Sequence, residues 1–308
     1  MHNLKSPLWR DRRYWQILVQ LIIAFLVVFL VVILWINLNY NLQKLGIKFG
    51  FDFLKQQASF DISETPIAYN PSDTYSRALW VGLINSLRVA IAGIILTTII
   101  GIFAGIARLS DNWLVRNIAG VYVEIFRNTP LLLQLLFWYF AVFLSLPKIE
   151  NQISVLSLVY ISQSGVQFPW FRLSSEFFAL LMGLTFYTGA FIAEIVRGGI
   201  QSVPKGQWEA ARSLGLKPGL VMRLVIFPQA LRVIVPPLTS QYLNLTKNSS
   251  LAIAVGYPDI YFVASTTFNQ TGRAVEAMLL IMLTYLTLSL TISLGMNFFN
   301  RMVAIKER

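Results

Sequence analysis

Residues 17–36 read ILVQLIIAFLVVFLVVILWI: twenty positions with no charge, broken only by Gln20. At about 1.5 Å of rise per residue an α-helix of this length covers roughly 30 Å, the thickness of a bilayer's hydrocarbon core. Lys5, Arg10, Arg12 and Arg13 precede it. A basic front followed by an apolar run is also how a signal peptide starts, but this run is too long and no small-residue cleavage site follows. It is expected to be a retained span, 15–36, behind a cytoplasmic N-terminus, 1–14.

Further apolar stretches fall at about 79–107, 118–146, 174–197 and 275–300. Residues 226–270 are also apolar, but Pro236, Pro237, Lys247, Asn248 and Pro258 interrupt them. If that segment crosses once, six spans result and both termini are cytoplasmic. Charge placement agrees. Arg108 and Arg116 lie in one connection, Arg197, Lys205, Arg212, Lys217, Arg223 and Arg232 in another, and Arg301, Lys306 and Arg308 in the tail, 301–308. All of these fall on the cytoplasmic side, where Lys and Arg accumulate. The loop 37–78 balances Lys44, Lys48, Lys55 and Arg77 with Asp52, Asp61, Glu64 and Asp73, as an exported loop can.

Composition supports lipid as the solvent. The 308 residues are 56% hydrophobic and 13% charged, about half the charged fraction of an ordinary chain. The formal charge is +11. Nucleic-acid binding would gather the bases on one face, whereas here they sit in short clusters between apolar runs. There is no cysteine, and the sole histidine is His2. That argues against disulfides, thiolate or histidine metal sites and Ser-His catalysis. No G-x-x-x-x-G-K-[ST] loop is present, so ATP, if used, is bound by another chain. No catalytic, metal or cofactor residue is expected.

Residues 201–229, QSVPKGQWEAARSLGLKPGLVMRLVIFPQ, carry the most information. Pro204 suits the first turn of a helix. Trp208, Ala211 and Leu214 recur at helical spacing, Gly215 suits a left-handed C′ position, and Pro218 opens a second short helix through Leu224. From periodicity alone this could be any amphipathic cytoplasmic loop. Its residues, however, resemble the EAA signature of ABC importer permeases: Glu209-Ala210-Ala211, then Gly215, then Val225-x-Phe227-Pro228. Val225 and Phe227 replace the family's Ile and Leu with other apolar side chains.

Glu124-Ile125-Phe126-Arg127-Asn128-Thr129-Pro130-Leu131 with Gln134, and Tyr187-Thr188-Gly189-Ala190-Phe191 running to Val203-Pro204, are similar to the polar amino-acid branch of that family. LTKNSSLAIAVG, 245–256, extends the resemblance over roughly 79–300. The longer N-terminus is closest in layout to the general and neutral L-amino-acid permeases. The resemblance implies an all-α membrane protein with the type I ABC importer transmembrane fold. It implies a permease core, 79–300, whose loop 201–229 is a coupling helix for an ATPase dimer. Pro204, Trp208, Glu209, Ala210, Ala211 and Gly215 would carry the coupling. Further implied partners are a second permease subunit, homologous but unlike, a periplasmic binding protein, an L-amino-acid substrate and membrane lipid. Plasma-membrane location follows.

Several polar residues have two readings. Glu124 and Arg127, three apart, are expected to form a structural ion pair. Asn128 and Thr129 could face a substrate path, or re-satisfy backbone freed by Pro130. Glu194 could hold a substrate ammonium, or pair with Arg197. Lys247, Asn248 and Ser249 lie where a broken helix could supply a site, although Lys247 could equally snorkel to an interface. Gly101 and Gly105 form a small-xxx-small pair suited to close helix packing. The Asn-x-Ser/Thr matches at Asn244, Asn248 and Asn269 are read as accidental. A secondary transporter or channel would need mid-membrane coupling carboxylates instead. A membrane enzyme would need a nucleophile–base pair that the chain lacks.

Overall fold

The structure, a computed structural model, describes residues 12–44, 46, 49–155 and 158–303. Expectations resting on His2, Lys5, Arg10, Lys48, Lys306 and Arg308 lie outside those residues. The chain divides into two units, Met1–Phe51 and Asp52–Arg308.

The first unit is one helix, α1 (Arg12–Lys44). Its apolar side chains from Ile17 to Ile36 are exposed all round, as lipid contact requires. Tyr14 and Trp15 stand near one end and Trp35 and Tyr40 near the other, the positions of interfacial aromatic anchors. Lys44 covers the Tyr40 ring at 4.4 Å.

The second unit is built on a parallel pair, α2 (Tyr75–Ala107) and α5 (Ser175–Gln201). Thr74 caps α2 by accepting from the Arg77 amide, and Ser174 caps α5 by accepting from the Phe177 amide. The two helices meet closely because α2 presents Gly101 and Gly105. A Cβ at Gly101 would overlap the Ile192 side chain, and one at Gly105 would press on the Ala193 carbonyl and Val196. The small-residue pair therefore serves packing within the chain.

Between these helices run α3 (Trp113–Asn128) and α4 (Leu131–Leu136), the latter continued as a π-helix, Phe137–Phe143. The two are bent by 108° across Thr129–Pro130. Proline at position 130 removes a helical donor and disfavours the α conformation of Thr129, which is extended (φ −101°, ψ 130°). A stack of Tyr122, Phe126, Phe186 and Trp138 fills the inside of the bend.

A small four-stranded antiparallel meander follows: β1 (Ile153–Val155), β2 (Val159–Ser162), β3 (Gly165–Gln167) and β4 (Arg172–Leu173), in that order. The sequence of 147–173 carries no strand signal, since strands of two to four residues offer no usable alternation. This lobe and the segment 52–74 lie at the N-terminal ends of α2 and α5, where Glu64 meets Arg88 and the Ser174 hydroxyl. The segment 52–74 buries Phe53, Ala58 and Ile62 against Tyr75, Ala78, Val81 and Val263.

After the short helix α6 (Lys205–Ser213), the chain climbs again through α7 (Pro218–Leu220), a π-turn Val221–Ile226 and α8 (Phe227–Asn248). The second helix expected to stop at Leu224 instead runs on without interruption into α8. A 3-10 turn, Ser249–Val255, and left-handed Gly256 (φ 76°) break the segment. The chain then continues as α9 (Ile260–Thr271) and returns as α10 (Ala274–Val303). Among the described residues five helices are long and apolar enough to cross a bilayer, and the bent α3–α4 pair makes six if it counts as one span.

Candidate functional site

The loop 201–229 packs directly on the helical core. Pro204 stands just before α6 (φ −55°, ψ 139°) rather than inside its first turn. At the other end Gly215 takes φ 77°. Its amide donates to the Arg212 carbonyl (2.9 Å) and the Leu216 amide to the Ala211 carbonyl (3.4 Å), a Schellman closure.

Ala211 is buried and Trp208 half-buried, packed with Val221, Met222 and Val225. Val203, Ala211, Val221 and Ile226 belong to the same apolar cluster as Ile192, Val196 and Ile200 of α5 and Ile234 and Leu238 of α8. Gln229 Nε2 donates to Gln207 Oε1 (3.2 Å), a second tie between the loop and α8. The loop is thus packed against both α5 and α8.

The opposite side of the loop is bare. Pro204, Glu209, Ala210 and Gly215 are exposed. Leu214, expected on the apolar side with Trp208 and Ala211, is 81% exposed. The helix has already ended there, so helical spacing no longer sets where Leu214 points. Leu220 and Leu224 are exposed nearby.

The polar residues of the apolar helices make the following contacts within the chain. Glu194 accepts from Arg197 (Nη2–Oε2 2.8 Å) and also pairs with Arg108 at the end of α2. Arg197 in turn donates to Gln201 Oε1 at 2.7 Å. This is the interfacial ion pair, extended to three charges. Glu124 and Arg127 do not pair, which corrects the expectation. Asn128 Nδ2 donates to Glu124 Oε2 (3.2 Å), and the Arg127 guanidinium lies over the Phe191 ring at 5.1 Å. The i+4 amide meets the carboxylate, while the neighbouring helix offers arginine an aromatic face.

Thr129 donates to the Ile125 carbonyl (2.8 Å), the re-satisfying role opened by Pro130. Ser249 donates to the Thr246 carbonyl (2.8 Å) and is buried. Lys247 is exposed and Asn248 ends α8. No hydrogen bond joins Asn128 or Thr129 to Lys247, Asn248 or Ser249 among the described residues.

Two polar groupings escaped sequence reading. Around the break after α8, fully buried Asn85 donates from Nδ2 to the Pro258 (3.0 Å) and Glu64 (2.9 Å) carbonyls. Ser86 Oγ accepts from the Ile260 amide (3.0 Å), and Tyr285 donates to Asp259 Oδ2 (2.9 Å). The second is Arg88, a charge inside the apolar stretch 79–107. It pairs with Glu64 (2.8 Å) and lies 5.3 Å from the Phe177 ring centre. Residues 89–107 are then an uncharged run of about 28 Å between Arg88 and Arg108. On α5 the corresponding limits are Glu176 and Glu194. The only sequence signal was this charge at the edge of an apolar run.

Residues 97–305 match the family described as "binding-protein-dependent transport system inner membrane component". The general L-amino acid transport system permease protein AapQ of Rhizobium johnstonii is 40% identical, over 87% of this chain and 87% of its own. The glutamate/glutamine/aspartate/asparagine transport system permease protein BztB of Rhodobacter capsulatus is 38% identical, over 98% and 97%. The crystal structure of an amino acid ABC transporter with histidines contains a chain that is 29% identical. It aligns with a TM-score of 0.59, covering 74% of this chain and 94% of that one.

Proposed function

The chain belongs to the family of binding-protein-dependent transport system inner membrane components, and on that premise we propose that it is one half of the translocation path of an ATP-driven L-amino-acid importer. It is a multi-pass inner-membrane permease, a subunit type that does no catalysis of its own. Its permease core is residues 79–300. A second permease, homologous but unlike, supplies the other half. A periplasmic binding protein delivers the amino acid to the exported side, and two separate ATPase subunits bind ATP.

The observation that carries this reading is the loop 201–229. Its inner side, Trp208 and Ala211, is locked into the α5–α8 cluster, and its outer side offers Leu214, Glu209, Ala210 and Leu220 to a partner. Pro204 and Gly215 set where the helix starts and stops. When the ATPase pair closes on ATP, the docked loop moves, and the shared cluster passes that motion to both membrane helices. Gates at the two ends of α2 and α5 then open in alternation, a rearrangement of packed elements between two arrangements.

For the pathway residues we propose two ranks. Asn128, with Glu124, and exposed Lys247 with Asn248 are the polar groups that a moving amino acid can meet. Thr129, Ser249 and Glu194 are committed to the protein and shape the path without binding.

The test is reconstitution. Proteoliposomes holding the two permeases and the ATPase pair, with binding protein outside and ATP inside, should accumulate L-amino acids. Uptake undiminished when the ATPase is omitted would refute the reading.

A further inference from the structure

On the exported side a cavity of about 770 Å³ opens between the segment 63–66, the sheet lobe and the exported ends of α2 and α5. Its size lies within the roughly 300–1,000 Å³ of small-molecule sites. Four charged side chains line it: Glu64, Arg88, Arg172 and Glu176. Their formal charges cancel, yet only one pair is joined. Glu64, nine-tenths buried, is held by Arg88 (2.8 Å) and by the Ser174 hydroxyl.

Glu176 meets no cation within salt-bridge range among the described residues. It accepts only from the Tyr139 hydroxyl (3.1 Å) and the Ser175 hydroxyl (3.2 Å). A carboxylate has about four acceptor positions, so two remain. Arg172 uses one donor, Nη2, on the Ser164 carbonyl (3.0 Å) and meets no carboxylate. Arg88 directs Nη1 at Asn85 and Glu64, and its Nε and Nη2 make no hydrogen bond among the described residues. The cavity thus holds a carboxylate and a guanidinium with capacity to spare, at the threshold of the uncharged runs of α2 and α5.

We propose that this cavity is a first-contact site for a zwitterionic amino acid entering from the exported side, with Arg172 and Arg88 taking the α-carboxylate and Glu176 the α-ammonium. The proposal rests on the amino-acid reading above and adds where the solute first meets this chain. A solute with both charges matches both free groups. A carboxylic acid or an amine would satisfy one sign and leave the other desolvated, which weakens binding. Leu144, Phe171 and Pro66 give the same cavity apolar surface for a side chain of any type.

The experiment uses the permease pair with its ATPase in lipid nanodiscs, without binding protein, and a radiolabelled mixture of protein L-amino acids as probe. Saturable binding is expected, displaced by unlabelled amino acids. It should not be displaced by the amino-acid amides, which lack the carboxylate, nor by the deaminated acids, which lack the ammonium. Glu176→Gln and Arg172→Gln, both outside the packed core, should each weaken binding about tenfold, the loss of one charge-assisted contact, with thermal unfolding unmoved. Absence of saturable binding by the unaltered complex, full binding by both variants, or equal displacement by the half-charged analogues would overturn the site. ATP-driven uptake through the binding protein is measured on the same preparation. If uptake is normal and the site fails, only this inference falls. If no amino acid is taken up, the amino-acid reading falls with it.

Discussion

The two ends of the α2–α5 pair are each marked by an arginine of α2 bound to a glutamate, but the glutamates come from different places. At the cytoplasmic end Arg108 meets Glu194 of α5 itself, which Arg197 also holds. The closure is local, three charges deep, and continuous with the apolar cluster that carries the coupling loop. At the exported end Arg88 meets Glu64, from a segment wrapped over the helices, beside an open cavity where Arg172 and Glu176 have no ion-pair partner among the described residues. One end is saturated and mechanically tied, while the other keeps polar capacity in reserve. That difference suits a molecule that receives force on one side of the membrane and a solute on the other.

The comparison can be broken at the seam both ends share. Gly101→Leu should be the most damaging substitution. It forces a side chain into Ile192 and is expected to cost about 3 kcal/mol or more, the upper range of overpacking. Adding Ile192→Ala should restore part of the loss, read as recovery of the thermal transition of the purified permease.

Next comes the cytoplasmic end alone. Glu194→Gln leaves Arg108 and Arg197 without their counter-charge. The Glu194 side chain is 19% exposed, so the cost is set below that of a fully buried pair, at about 2 kcal/mol. At about 2–4 °C per kcal/mol, the transition should fall by roughly 4–8 °C.

The exported end should be milder. Glu64→Gln keeps an acceptor for Ser174 and for Arg88, and is expected to cost about 1 kcal/mol, with uptake at saturating amino acid little changed. A larger effect at Glu64 than at Glu194 would invert the comparison.

Leu214→Ser should be the smallest of all in stability, within about 0.5 kcal/mol, because the side chain is 81% exposed.

What the sequence made legible follows from which signals are local. The run 17–36, the placement of Arg and Lys between spans, and the 201–229 pattern each lie within one stretch of chain. The run and the loop pattern each point to a helix or loop that the fold contains. Gly101 and Gly105 likewise announced close packing. Partnerships across long separations did not show. Nothing near Arg88 names Glu64, 24 positions upstream, or Phe177 on another helix. Glu124 and Arg127 have the spacing of an ion pair, yet Asn128 and the Phe191 ring compete better once α5 is in place. The sheet lobe was invisible because its strands are shorter than one readable period. Leu214 was misplaced because a left-handed Gly215 ends the helix beside it.

The most direct test of the account is whether the bare side of the coupling loop is what the ATPase grips. Glu209→Lys and Leu214→Glu permeases, matched to the unaltered chain in membrane insertion and thermal transition, are challenged to co-purify the ATPase subunits and to support ATP-driven uptake. The account predicts that both variants insert and unfold normally but lose the ATPase and with it transport. Full ATPase retention and normal uptake in both would contradict it.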